Sequence, residues 1–398
     1  MALAGLTGCT PASGPPVVLQ IAVGTSPDQV INGQLHQEFS ERLRRLERGF
    51  RQLHPDTHFR FSLYPEQELL TAMRQRQWSG LEPDLLFLTG RAAHQMDQAG
   101  ITIPFPATAA IRSRFERPLL RLVSRRDGGL TGLPVLQQLQ ISCFDTRRLP
   151  SPPADVEALL TASAQGLPVG LSMASDALLW TVGSTGALPA LVRAMAGTPP
   201  TAEDRQAMRR WLTWLADAGS QQRVVFYASQ EQAEEELRTG QLAWIPCRST
   251  TLPRLRKAMG ARLGVAALPD GHGTIASPIN HIRVLALGRN STPRARQAAI
   301  AFSEFTVNPV VQRASTLGSF TVLPVNRHVE IPVNSSRILA ALAHAREQGL
   351  QSDQLLPLIK PSDPRPAAVQ GLISQLVFGE LSPEEATPRL IRLLQPPR

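Results

Sequence analysis

The feature that most constrains this chain is the way its hydrophobic period switches. Val17–Val23 is an unbroken apolar run, the pattern of a strand buried on both faces. Leu35, Phe39, Leu43, Leu46, Phe50 and Leu53 then recur every three or four residues, as one face of an amphipathic helix does. Phe59, Phe61 and Leu63 alternate as a strand would, Leu69, Leu70 and Met73 open another helix, and Leu85–Leu88 form a short buried strand after Pro83-Asp84. The alternation continues through most of the chain and predicts an α/β architecture. Helix ends are marked as well. Ser229 to Gln232 fits a capping box with Gly240 as the stop. Thr292-Pro293 and Ser382-Pro383-Glu384-Glu385 each place a cap before a first-turn proline. Roughly the last seventy residues lose the strand signal and read as helices joined by Pro-rich turns.

At 398 residues the chain exceeds the roughly 250–300 at which one hydrophobic core stops growing, so two domains are expected. Hydrophobic residues at 42% and charged residues at 18% exclude a disordered chain. No apolar stretch approaches the roughly 18 residues of a spanning helix. Three cysteines exclude a disulfide scaffold, and no CxxC or HExxH spacing offers a redox or metal site. The net charge is +9, and only Lys257 and Lys360 among the basic residues are lysines. The densest basic run, Arg42, Arg44, Arg45, Arg48 and Arg51, is interleaved with Glu41 and Glu47 and reads as a solvated helix face. A nucleic-acid partner is therefore not expected. GxSxG, P-loop and GxGxxG motifs are missing and the eight histidines do not cluster, so neither an enzyme nor a cofactor is expected. Tyr64 and Tyr227 are isolated, unlike the adjacent tyrosines that ferric-iron binders commonly use.

Leu6-Thr7-Gly8-Cys9 resembles the bacterial lipobox, in which small residues precede the cysteine that receives a lipid. Thr10 to Pro16 looks like a tether before the folded body. No Lys or Arg precedes Cys9 and the apolar part is short, whereas a secretory signal needs a basic start and about 7–15 apolar residues. Either the true start lies upstream or Cys9 is an ordinary residue. The motif's position favours the first, with residues 1–8 a signal remnant, 9–16 a tether and Cys9 the lipidated residue holding the protein on a membrane. Export would place Cys143 and Cys247 in an oxidising compartment, where pairing is open to them. Two buried free thiols are the expectation.

Several segments, in order, are similar to the carbohydrate-binding family of extracellular solute-binding proteins that serve ABC importers, the group containing maltose- and trehalose-binding proteins. They include Gly49-Phe50 with His54-Pro55-Asp56, Tyr64-Pro65, Glu68-Leu69-Leu70, Ser79-Gly80, Pro83-Asp84-Leu85 and Asp127-Gly128 with Leu130 to Val135. Pro152-Pro153, Leu237 to Ala243, Leu323-Pro324-Val325, Arg365-Pro366 and Gly379 to Ala386 continue the series. Each motif is weak alone; their collinear order from about Val17 onward carries the resemblance. It departs from the family where Thr131 replaces a usual tyrosine and where Val369 and Gln370 replace an expected aromatic.

The resemblance implies a two-lobed periplasmic-binding-protein fold that the chain crosses three times, near Pro134–Gln140, Ile275–Ile282 and Thr321–Asn326. Residues 17–135 plus 276–322 would form the N-lobe, and 136–275 plus 323–398 the C-lobe with a helical tail. It also implies solute capture by closure of the lobes, delivery to permease subunits, and a monomer. Ligand contacts are expected from Arg91, Gln137, Gln138, Trp180, Arg248, Asn280, His281 and Arg365, because sugar recognition needs planar polar groups and aromatic faces. Trp211 and Trp214 are expected in the core, while Trp244 points inward or cleftward. Aromatic residues are only 5%, which disfavours long maltodextrins and points to a mono- or disaccharide-sized ligand. The arginines would also suit an anionic or phosphorylated polyol. A membrane-attached scaffold that has lost its ligand is the remaining alternative.

Overall fold

The computed structural model describes residues 15–25, 31–319, 321–359 and 363–396. Cys9 and most of the expected tether lie outside the described residues.

The chain runs through β1 (Val17–Thr25), α1 (Gly33–Arg51), β2 (Thr57–Pro65), α2 (Leu69–Trp78), β3 (Leu85–Thr89), α3 (Gly90–Gln98), β4 (Thr102–Ile103), α4 (Ala109–Arg112), α5 (Arg117–Arg121) and β5 (Leu133–Gln138). It continues with β6 (Gln140–Asp145), α6 (Val156–Ala164), β7 (Val169–Ser172), α7 (Ser175–Leu178), α8 (Trp180–Ser184), α9 (Leu188–Met195), α10 (Ala202–Ser220), β8 (Val224–Tyr227), α11 (Gln230–Thr239), β9 (Trp244–Arg248), α12 (Leu252–Met259) and β10 (Leu263–Ala266). Then come β11 (His281–Gly288), α13 (Pro293–Thr306), α14 (Pro309–Ser319), α15 (Arg337–Gln348), α16 (Arg365–Val377) and α17 (Pro383–Leu394). Two compact units result, residues 1–135 with 283–311 and residues 136–282 with 312–398.

The first unit is built on a sheet in the order β2-β1-β3-β11-β4, with β5 also pairing β11. β1 is parallel to β2 and β3, and β11 runs antiparallel between β3 and β4. The apolar run beginning at Val17 places β1 in the middle of this sheet, where Leu19, Ile21, Ala22 and Val23 are buried. Asn32 caps α1 by accepting from the Leu35 backbone N–H. The periodic face of α1 ends in Phe50, which meets the rings of Phe302 and Phe305 on α13 edge-on at 5.3 and 5.5 Å. Leu53 falls beyond the helix and is exposed, because the chain turns away at Gln52. The Arg42–Arg51 run is exposed, as a solvated face should be.

The second unit carries the sheet β10-β6-β9-β7-β8, in which β7 is parallel to β8 and β9 while β6 is antiparallel to β9 and β10. Its larger core gathers Trp180, Trp211, Trp214 and Trp244 with leucines from α6, α9 and α10. Two ring contacts to Trp180, from Trp214 and Trp244, lie at 6.1 and 6.0 Å. The Trp211 indole donates to Thr181 Oγ1 at 2.8 Å, so its one polar atom is satisfied inside the core. α16 and α17 pack on α10 at a very close approach: a Cβ on Gly219 would come within 2.4 Å of the Val377 carbonyl oxygen. Ser382 and Glu385 form a reciprocal capping box at the start of α17.

One expectation is corrected in this sheet. Cys143 and Cys247 are joined as a disulfide rather than standing as free thiols. β6 and β9 are antiparallel neighbours with Cys143 opposite Ile245 and Ile141 opposite Cys247, which brings the two Cα atoms to 5.8 Å. The bridge lies in a second core cluster with Leu139, Ile141, Leu237, Leu252, Leu339 and Leu342. Among the described residues no helix is long and apolar enough to cross a membrane.

Candidate functional site

In open α/β sheets, ligands are met beyond the carboxyl ends of the parallel strands. Each unit concentrates buried polar groups at that edge.

In the first unit the ends of β1, β2 and β3 are drawn together by Glu66 and Arg283. Glu66 follows β2 and accepts from the Thr89 backbone N–H at 2.9 Å and from Thr89 Oγ1 at 2.5 Å. It also accepts from Arg283 Nη1 at 2.9 Å. Arg283 lies opposite Thr89 in the β3–β11 register. Its Nη2 donates to the Gly24 carbonyl and, at 3.2 Å, to the Phe87 carbonyl. The guanidinium also stacks over the Phe87 ring at 4.6 Å. Burial lowers the Arg283 pKa from its ordinary value, and Glu66 opposes that shift. Thr89 in turn caps α3 by accepting from the Ala92 N–H at 3.2 Å. Arg91 lies half-buried in the first turn of that helix.

In the second unit β7 and β9 run parallel, and the edge is set by Asp176, Arg248 and His281. Arg248 ends β9 and pairs with the Asp176 carboxylate. His281 opens β11 with its Nε2 at 3.5 Å from the same carboxylate oxygen. Burial pushes the Asp176 carboxyl up, but Arg248 and His281 outweigh it and hold the group well below the usual carboxylate range. Gln140, opposite Arg248 on β6, donates to the Ala177 carbonyl at 2.7 Å and accepts from the Ile279 N–H at 3.1 Å. The start of α7 and the run into β11 are thereby held against the sheet.

The residues singled out from sequence divide accordingly. Arg248 and His281 meet around Asp176, and Arg91 stands two residues after Thr89, which Glu66 binds. Gln137 and Gln138 end β5, half-buried, with Gln137 bridged to Leu323. Asn280 is engaged at both ends of its amide: Oδ1 accepts from the Gln140 N–H at 3.0 Å and Nδ2 donates to the Ala345 carbonyl at 3.0 Å. It ties α15 to the approach to β11. Trp180 is 0% exposed at the centre of the tryptophan core, its apolar helix turning that side inward. Trp244 also points inward. Arg365 is a clamp on the helical tail, held by Asp363 at 3.0 Å and by the Leu394 carbonyl at 3.2 Å, and its fork is spent there.

Sequence reading passed over Glu66, Thr89, Asp176 and Arg283. Arg283 did carry a signal, as one charged residue inside the otherwise apolar His281–Gly288 run. The other three are ordinary polar residues whose partners lie far off in sequence.

The chain belongs to the bacterial extracellular solute-binding proteins: the profile of that family matches residues 61–336, more than half of the chain. A search of curated protein sequences finds no match. Among solved structures the chain is similar to the GacH receptor of Streptomyces glaucescens GLA.O, solved unliganded and with acarbose. That match has a TM-score of 0.71 and 16% identity, over 96% of this chain and 99% of that one. The maltodextrin-binding protein MalE1 of L. casei BL23 follows with a TM-score of 0.70 and 17% identity, over 96% and 98%. The maltose-binding protein MalE of Listeria monocytogenes, solved with maltose, gives 0.69 and 13%, over 95% and 97%. At such identities the likeness establishes the fold, which is the two-lobed periplasmic-binding-protein fold. Family and neighbours are solute binders and not enzymes, and the family is extracellular.

Proposed function

We propose that the protein binds a neutral, hydroxyl-rich solute of mono- or disaccharide size and delivers it to the permease of an ABC importer. The observation that carries this reading is that the strand-end cations come already paired. Arg248 is matched by Asp176 and Arg283 by Glu66. The Arg248–Asp176 pair, partly open, offers donors and acceptors in fixed directions without net charge, which suits adjacent hydroxyls rather than a phosphate, and the sealed Arg283–Glu66 pair adds no free charge. Arg365, whose charge would favour an anionic polyol, is neutralised by Asp363. The neighbours whose printed names concern acarbose, maltodextrin and maltose support the carbohydrate class. Recognition by closure is the mechanism that the sequence resemblance implies.

Membrane attachment through a lipidated Cys9 belongs to the same reading. Its support is the family's extracellular character together with the Cys143–Cys247 bridge, since disulfides persist in oxidising compartments. Intact mass of membrane-extracted protein tests it, and an unmodified Cys9 still preceded by Met1 defeats it.

A thermal-shift panel tests the ligand class, with glucose, maltose, trehalose, maltotetraose, chitin oligosaccharides, acarbose, glucose 6-phosphate and amino acids. A neutral mono- or disaccharide at a hundred times its dissociation constant should stabilise the protein by about 2.7 kcal/mol. Stabilisation only by the phosphorylated sugar, only by long oligosaccharides or only by amino acids overturns the reading.

A further inference from the structure

We propose that Arg283 is a positioning residue for solute recognition: with Glu66 it locks the carboxyl ends of β1, β2 and β3 into one rigid edge. The ligand part of this proposal rests on the reading above; the structural part does not.

The sheet order explains why a lock is needed. β1 lies between β2 and β3, so the end of β2 and the end of β3 share no backbone ladder. Their loops leave at residues 65 and 89, far apart in the chain, and backbone pairing alone fixes neither relative to the other. Glu66 spans the gap. Its carboxylate crosses directly over β1 at Gly24, where an added Cβ would stand 3.0 Å from Glu66 Oε2. It then reaches both donors of Thr89. Arg283 closes the circuit from the fourth strand by binding Glu66, the Gly24 carbonyl and the Phe87 carbonyl. The ends of the three parallel strands β1, β2 and β3 are therefore joined through one ion pair. Thr89 passes the constraint on as the cap of α3, whose first turn carries Arg91.

Stability alone does not account for the pair. A fully buried arginine costs more than an apolar side chain of similar size unless all its donors are met, and Arg283 Nε is buried without a partner among the described residues. Removing one partner of such a pair is strongly destabilising, whereas replacing both charges by groups of similar volume often costs little. That asymmetry separates positioning from stabilisation. In Glu66→Gln the amide still offers an oxygen to the Thr89 N–H and an N–H₂ to Thr89 Oγ1. In Arg283→Met the stem volume remains and the charge leaves. The double variant therefore has no stranded charge, yet loses the bonds to Gly24 and Phe87.

The test compares full-chain wild type, Arg283→Met and Glu66→Gln/Arg283→Met, with Arg283→Lys as a milder variant should the single methionine variant not fold. Melting temperature, amide hydrogen exchange without ligand, and calorimetric titration with maltose and the best-stabilising sugar of the panel are read on each. The double variant should recover most of the melting temperature lost by Arg283→Met. Exchange at Gly24–Thr25, Glu66 and Thr89–Ala92 should remain about tenfold faster than in wild type, and sugar affinity about tenfold weaker. Arg283→Lys, which keeps the charge and loses the fork, should fall between. Wild-type exchange at those amides in the double variant overturns the proposal, and so does wild-type affinity. If no panel sugar binds the wild type, the functional reading fails, and the exchange measurement still decides whether the edge is locked.

Discussion

The two units meet the same problem, holding loop ends at the carboxyl edge of a sheet, with ion pairs of different wetness. In the first unit the Arg283 and Glu66 side chains are 2% and 8% exposed, and they bond to Thr89, Gly24 and Phe87. In the second, Arg248 and Asp176 are 10% and 31% exposed, and a histidine shares the carboxylate. A pair sealed from water is screened little and fixes geometry. A pair with one open side can exchange part of its hydrogen bonding with a solute at small cost. Under the proposed function the first cluster would shape the edge and the second, with its open side, would meet the solute.

The comparison can be broken in four places. The largest effect belongs to the second unit: Cys143→Ala/Cys247→Ala, or reduction, opens a bridge between residues 104 apart and should cost about 4–5 kcal/mol. Denaturant midpoints with and without reductant measure it, and exchange should report the loss in the β6–β9 region while β1–β3 keep their protection. Next, Arg283→Met should cost about 3–5 kcal/mol by leaving Glu66 charged and unpaired, with the loss confined to the first unit. A loss of similar size from Arg248→Met would erase the distinction between sealed and open pairs, because Asp176 has water as a substitute partner.

Acid should weaken two places in the second unit by a smaller margin. The hydrogen bond from Arg193 holds Asp204 at about 2, and Asp176 is also depressed. A carboxylate lowered on folding contributes stability above its ordinary value of 3.8 and loses it as pH falls toward the folded value. Exchange protection of α10 and α7 should therefore weaken as pH drops from about 4 toward 2. Full protection there at pH 2 would show that neither pair matters to the second unit. Smallest of all, Trp180→Phe and Arg365→Lys should leave sugar affinity within about twofold of wild type by calorimetry, since neither side chain faces the strand-end edge. A tenfold loss in either would return that residue to the site.

What could be read in advance, and what could not, follows the range of the forces involved. β1 and α1 were legible because an apolar run and a 3.6 period are local statements about burial, Ser229, Thr292 and Ser382 because an N-cap needs only its next three residues, and Gly240 because a C-cap needs only the turn before it. The direction of Trp180 was not legible because an apolar helix has one face in the core, and period alone does not say which residue faces it. Glu66 with Arg283, and Cys143 with Cys247, were illegible because sheet order brings them together across 217 and 104 residues. Arg248 and His281 could be suspected from where they stand in the chain; their carboxylate, Asp176, could not.

The position of β11 has a consequence for how the molecule is assembled. This strand fills the gap between β3 and β4, yet about 150 residues of the other unit are made between β5 and its arrival. At synthesis rates of roughly 5–20 residues per second, the first 135 residues would wait some 7–30 s with two unpaired edges and Glu66 without its cation. A thread kept loose until its last third is complete never passes through that state. Holding the nascent chain open, rather than hastening its collapse, is thus the handling such a strand order rewards.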